Sequence, residues 1–325
     1  MKMRLMADAV VFDSNAERYV PGGYHEFVPL EKRFEIMSKT PGLHGMGITW
    51  PTDPLPSDPD KLVKLFADYN LKPGDCSIND YDNKKWRHGP LVTTEKNIRS
   101  EHLKLCKEAI DFASQIPGMK VMVWPGHDGF DYPFQTNYSV AWGNMVENFK
   151  EICSFNPNIK VCIEYKAKDP RQRFYIGNIG KLMAIFNEVG MNNLMGVIDT
   201  GHALQCQESL GEDFVFLSDR KKLGIIHLND NYRDADPDLI IGTLAFWDNL
   251  EFFYYLVKSD YDGTIEIDYQ TPREEQGKSL NLAVKMVYKY KEMAEKLLKH
   301  EAEIDKNLLG YHFADNMQLI TDLIL

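Results

Sequence analysis

Eight short apolar runs rich in β-branched residues, separated by longer stretches with helical spacing, constrain this chain more than any other feature. The predicted strands are Ala7–Phe12, His44–Trp50, Cys76–Tyr81, Lys120–Trp124, Lys160–Lys166, Leu194–Thr200, Gly224–Asn229 and Thr264–Tyr269. Between them, Asn97–Gln115 sets Ile98, Leu103, Leu105, Ala109, Ile110, Phe112 and Ala113 mainly on one helical face. Ala141–Ser154, Ile176–Val189, Leu244–Lys258 and Glu275–Lys299 have the same helical spacing. Strands joined by crossover helices pair in parallel, and for eight of them the closed solution is a (β/α)8 TIM barrel, an α/β fold. A doubly wound open sheet is the alternative. It loses its main nucleotide-binding support, because no Gly-x-Gly-x-x-Gly follows the first strand and no Gly-x-x-x-x-Gly-Lys-Ser/Thr occurs.

The chain has 325 residues, enough for one large barrel or two ordinary domains. The pattern favours a barrel domain over residues 1–299. A C-terminal helical extension over 300–325 carries an apolar stripe (Leu308, Leu309, Phe313, Met317, Leu319, Ile320, Leu323) suited to packing on the barrel or on a partner subunit. Lys and Arg number 37 against 48 Asp and Glu, a formal charge of −11 that opposes a nucleic-acid backbone. No apolar run approaches the ~20 residues of a membrane span. The start MKMRLMADAVVFDSN lacks a signal peptide's long apolar core. The five cysteines are odd in number and scattered, with no Cys-x-x-Cys pair, which points to reduced thiols in a cytoplasmic protein.

Barrel chemistry sits at the C-terminal ends of the strands, and the last four strands here end in a consistent set of polar groups. Strand five ends in IEYK, strand six in IDTGH, strand seven in IHLND and strand eight in IEIDY, which brings Glu164, Asp199, His227 and Asp268 to one mouth. Converging carboxylates repel unless a cation neutralises them. Oxygen-rich ligation with a nitrogen and no thiolate suits Mn2+, Mg2+ or Co2+. Asp236-Pro237-Asp238 follows strand seven, and with His202 from the strand-six turn it can grip a second cation. Any one of these acids alone is more often a solvated loop residue; their occurrence on consecutive strands carries the argument.

With these residues in view, the chain resembles the xylose isomerase family of sugar isomerases and epimerases. IEYKAKDP is similar to the family's strand-five motif, in which Glu binds a metal and Lys holds the sugar carbonyl oxygen, here Glu164 and Lys166. Asp199 and His202 match the bridging carboxylate and its His. Asp236 and Asp238 resemble the second metal's Asp-x-Asp-Leu pair, and Asp268 in IDYQTPRE the last metal carboxylate. His227 stands where classical xylose isomerases have Asp. HGPLVTTEKNIR and VMVWPGHDG resemble the family's loop before helix three and its strand-four motif, with Trp124 as an apolar wall beside the sugar.

The resemblance implies a divalent-metal-dependent isomerase that interconverts an aldose and a ketose by a metal-assisted hydride shift. Glu164, Lys166, Asp199 and Asp268 would be catalytic, and Trp50, Trp124, His127 and His202 would bind substrate. Two metal sites and a homo-oligomer, dimer or tetramer, are expected. The alternative is a one-metal ketose epimerase working through an enediolate, with Glu164 and Asp268 as acid and base. The chain departs from the family in having no His near Trp50-Pro51 for ring opening; His44, seven residues earlier, is expected in the core. His127 and Asp128 replace an Arg-Glu pair.

Overall fold

A computed structural model describes residues 3–16, 20–51 and 58–325. Eight parallel strands close into a barrel: β1 (Leu5–Ala7), β2 (Gly45–Trp50), β3 (Lys72–Ile78), β4 (Lys120–Val123), β5 (Val161–Glu164), β6 (Leu194–Asp199), β7 (Leu223–Leu228) and β8 (Thr264–Ile267). Around them run α1 (Leu30–Lys39), α2 (Pro59–Asp68), α3 (Lys96–Ser114), α4 (Tyr138–Phe155), α5 (Ile179–Val189), the short α6 (Thr200–Gln205), α7 (Leu210–Asp219), α8 (Phe246–Lys258) and α9 (Gln276–Leu298). The register pairs His227 with Asp199 on one side and Glu266 on the other, so the polar residues of adjoining strands stand side by side.

Alternate strand residues point outward, where Ile48, Ile163, Ile198, Ile226 and Ile265 pack with Phe34, Phe112, Phe149, Phe186 and Phe252 of the helices in one continuous core. The inward set is divided. Met122, Cys162, Met195, Val197 and Ile225, with Trp124 packed on them, form a separate apolar cluster. The opposite wall is polar and belongs to the site described below.

Two strands differ from the sequence expectation. The run Ala7–Phe12 is a strand only to Ala7; Asp8 then caps a 3-10 turn over Ala9–Phe12 by accepting the Val10 N–H at 2.8 Å. A short polar side chain that bonds its own backbone offers an alternative to the ladder, so the strand stops there. β3 begins at Lys72, earlier than Cys76, with Pro73 and Gly74 inside it. His44, expected in the core, is exposed. It precedes β2, where its backbone bonds Leu5 and Lys72 while the ring stays outside.

Past α9, the helices α10 (Glu301–Leu309) and α11 (Phe313–Ile324) fold back. Leu319, Ile320 and Leu323 lie partly buried against the core, and Lys258 ties α10 down through Asp305 at 2.7 Å. Leu308, Leu309 and Phe313 of the same stripe remain exposed. Among the described residues, no helix is long and apolar enough to cross a membrane.

Candidate metal centre

The strand ends deliver their polar residues as a converging set. Glu164 closes β5, Asp199 closes β6, His227 lies one residue before the end of β7, and Asp268 follows β8 directly. Their ligand atoms lie within 4.8 Å of one another. His227 Nδ1 is 3.2 Å from Glu164 Oε1 and 3.2 Å from Asp268 Oδ2. Asp199 is fixed from two directions. Its Oδ1 accepts the His202 N–H at 2.7 Å as the cap of α6, and its Oδ2 accepts from Asn229 Nδ2 at 2.7 Å. Gly201 is required next to it, since a Cβ there would fall 1.9 Å from Asn229 Oδ1.

A second set stands beside the first. The loop after β7 folds back through paired backbone bonds between Asp230 and Leu239, which carries Asp236 and Asp238 to within ligand distance of His202. His202 joins the two sets: Nε2 is 3.0 Å from Asp236 Oδ2, while Nδ1 faces Glu164 Oε1 at 3.5 Å and Asp199 Oδ1 at 3.8 Å. Lys166 reaches the same Asp236 oxygen at 2.7 Å and lies over the Trp124 ring, 5.3 Å from its centroid. Trp124 is propped edge-on by Tyr81 at 5.4 Å.

Burial and charge make this a strongly coupled environment. Asp199 is pushed up to about 7, by burial first and then by Glu164, Asp236 and Asp268, against the lowering effect of His202. Burial would lower His202, but Asp199 and Asp236 outweigh it and raise the imidazole to about 9. Burial likewise opposes the charged forms of Asp236 and Lys166. Their mutual attraction prevails, with Asp236 held well below the usual carboxylate range and Lys166 above the ordinary amine value. These carboxylates and imidazoles fit a hard divalent cation. Four donors from four strands converge, no thiolate is among them, and His202 Nδ1 is buried with no hydrogen-bond partner.

The structure brings together Glu164, Lys166, Asp199, His202, His227, Asp236, Asp238, Asp268 and Trp124. It leaves Trp50 out. That ring stacks on Phe112 of α3 at 4.3 Å, because Gly47 faces the barrel interior and Trp50, three residues on, has the opposite parity. His127 is tied to the strand-three exit, its Nε2 2.8 Å from the Tyr81 carbonyl oxygen. The sequence argument missed a third group, Asp8, Asp75 and Glu266, which meets the other edge of His227. The signal was present in strand eight, where Glu266 precedes Asp268 by two and so shares its face.

Residues 34–290 match the family model for the xylose isomerase-like TIM barrel. The chain belongs to that family. Within the family it is similar to the xylose isomerase of Staphylococcus xylosus, 19% identical over 186 residues that cover 54% of this chain and 42% of that protein. The chain therefore spans less than half of that relative's length. It is 24% identical to the fructoselysine 3-epimerase of Shigella flexneri over 224 residues, covering 67% and 77% of the two chains. Among solved structures it shares the fold of L-ribulose 3-epimerase, with TM-score 0.68, 14% identity and coverage of 91% and 97%. The D-allulose 3-epimerase from Methylomonas sp. gives TM-score 0.66, 16% identity and coverage of 89% and 98%.

Proposed function

We propose that this xylose isomerase-like barrel is a divalent-metal-dependent sugar isomerase that interconverts an aldose and a ketose. One observation carries the reading: two adjoining ligand sets meet at His202, a member of the second whose other ring nitrogen faces Glu164 and Asp199 of the first, with the Lys166 ammonium beside it on Asp236. Glu164, Asp199, His227 and Asp268 would hold one cation, and His202, Asp236 and Asp238 the other. When bound, these cations would act as Lewis acids on the sugar's oxygens.

The protein's own groups account for the rest. Lys166 donates to the carbonyl oxygen and stabilises the negative charge that grows there as the carbon is reduced. Trp124 gives the sugar an apolar wall and limits water at the reacting carbons. The hydrogen on the hydroxyl-bearing carbon passes with its electron pair to the carbonyl carbon, and the hydroxyl proton ends on the former carbonyl oxygen, so the sugar is its own oxidant and reductant.

A second reading is favoured by one feature. Lys166 and His202 already neutralise Asp236, which suits a single cation and an epimerase with Glu164 and Asp268 as acid and base. Turnover of an aldose and ketose panel in D2O separates the two, after chelation and reloading with Mn2+, Co2+ or Mg2+. A direct shift gives product with almost no carbon-bound deuterium and depends on added metal. Substantial deuterium at the reacting carbon would move the assignment to the epimerase, and full activity in chelated protein would sink both.

A further inference from the structure

We propose that Asp8, Asp75 and Glu266 hold a further divalent cation inside the barrel, beneath His227 and separate from the two ligand sets at the mouth. The three residues come from the end of β1, the middle of β3 and the middle of β8, and all are buried. Asp75 is fully buried, and neither of its carboxylate oxygens has a hydrogen-bond partner. Glu266 uses Oε1 to accept the Asp75 N–H at 2.9 Å and leaves Oε2 without a partner. Carboxylates with no donor in a dry interior must either take up protons or hold a cation, and the unpartnered oxygens of Asp75 and Glu266 converge as a cation's ligands would.

The approach of the three carboxylates depends on one residue. A Cβ built on Gly47 would lie 2.4 Å from Glu266 Oε2, 2.6 Å from Asp75 Oδ1 and 3.0 Å from Asp8 Oδ2. Three oxygens from three strands therefore crowd against the Gly47 backbone, and the absence of a side chain in β2 lets their carboxylates converge within ligand distance of one another. Gly74 does the same for Glu266, since its Cβ would meet Glu266 Oε1 at 2.5 Å. Hard carboxylate oxygens without sulfur select Mg2+, Mn2+ or Ca2+.

The charge count agrees. With ions in both sets at the mouth His202 and His227 would be neutral ligands, and the eight carboxylates of the three clusters, less Lys166 and Lys120 beside them, would leave six formal negative charges. Two divalent ions leave two of these uncompensated; three balance them. Lys120 is already in this count, and its ammonium donates to the Gly224 carbonyl at 2.6 Å and to Thr264 Oγ1 at 2.7 Å. His227 separates the levels, with Nδ1 facing Glu164 and Asp268 and Nε2 4.0 Å from Asp75 Oδ2. An ion below would order the carboxylate that faces Nε2–H and leave the Nδ1 lone pair for the mouth.

The test is a metal count on the full chain, stripped with chelator and equilibrated with Mn2+ alone. Asp75→Asn with Glu266→Gln is expected to lose one equivalent. Gly47→Ala removes no ligand but forces the Glu266 and Asp75 oxygens away from one another, and is expected to lose the same equivalent. The loss should add to that caused by Asp236→Asn with Asp238→Asn, and it should appear whether or not any sugar is turned over. If Gly47→Ala and the Asp75/Glu266 variant, each with native circular dichroism, bind as much Mn2+ as the parent, the three carboxylates share protons and the proposal fails. Should the Asp75/Glu266 variant not fold, Gly47→Ala decides alone.

Discussion

Replacing Lys166 with methionine, which keeps the length of the side chain and removes its charge, separates what this residue does for folding from what it does for turnover. The Lys166 ammonium is 2.7 Å from Asp236 Oδ2, with side-chain exposures of 9% and 0%. At an effective dielectric of about 20, that separation is worth roughly 6 kcal/mol of Coulomb attraction, much of it offset by desolvating both charges. Removing one member of a buried pair typically costs about 3–5 kcal/mol, because the other is left uncompensated. Here His202, 3.0 Å from the same oxygen, keeps the cost near the lower end, about 3 kcal/mol. A cation on Asp236 supplies the missing charge, so the metal-loaded variant should lose only about 1 kcal/mol or less. Denaturant unfolding with and without Mn2+ measures the difference. Turnover of the best sugar should fall by about 10² or more with KM little changed, as expected for a donor that acts mainly on the developing charge. Equal destabilisation in both metal states, or a turnover loss below tenfold, would refute the reasoning.

Two further outcomes follow from the same geometry. Asp236→Asn with Asp238→Asn should remove one cation equivalent while leaving the Glu164, Asp199, His227 and Asp268 set loaded, as read by Mn2+ stoichiometry; unchanged stoichiometry and turnover would count against a second site. Asp128 is buried and pushed up to about 8, mainly by burial and also by Asp80, against His102 and the Leu91 and Val92 N–H donors. Between its unfolded pKa of about 4 and its folded value the native state binds the extra proton, so this group's contribution is complete below that range and lost as pH rises through 8. Asp128→Asn should therefore flatten the fall in stability between about pH 4 and 8, and an unchanged slope would show that Asp128 titrates normally.

The part of the site that was legible in the sequence is the part that follows an apolar run. Glu164, Asp199, His227 and Asp268 each come at or near the end of a short β-branched strand, and the barrel's parallel topology then forces them together. His202 was legible as a residue of the strand-six turn, and Asp236 and Asp238 as an acidic pair in the loop after strand seven; the structure adds the Asp199 cap and the returning loop that bring them together. Asp8 and Asp75 were hidden by register. Asp8 is the second residue of the expected strand Ala7–Phe12 and ends the real one instead, while Pro73-Gly74-Asp75 has turn chemistry yet lies inside β3. Trp50 was misplaced because its parity, opposite to that of Gly47 facing the carboxylates, weighs nothing in a residue-type argument.

The choice between isomerase and epimerase turns on what neutralises Asp236. Lys166 and His202 both contact its Oδ2, and that oxygen cannot serve two ammonium-like donors and a divalent ion at full strength. Under the two-metal reading the ion takes Asp236 and Asp238, and Lys166 is released from its partner toward the sugar beside Trp124, where its charge is useful only when the carbonyl oxygen becomes negative. Under the one-metal reading the Lys166–Asp236 pair persists, its charge is spent on the protein, and Glu164 and Asp268 around His227 must move the proton. Lys166 is thus either a displaced counter-ion that becomes a donor or a permanent plug. The metal dependence of the Lys166→Met destabilisation separates these: a cost that disappears with Mn2+ means the ion and the ammonium compete for one carboxylate, and competition is what the hydride-shift mechanism requires.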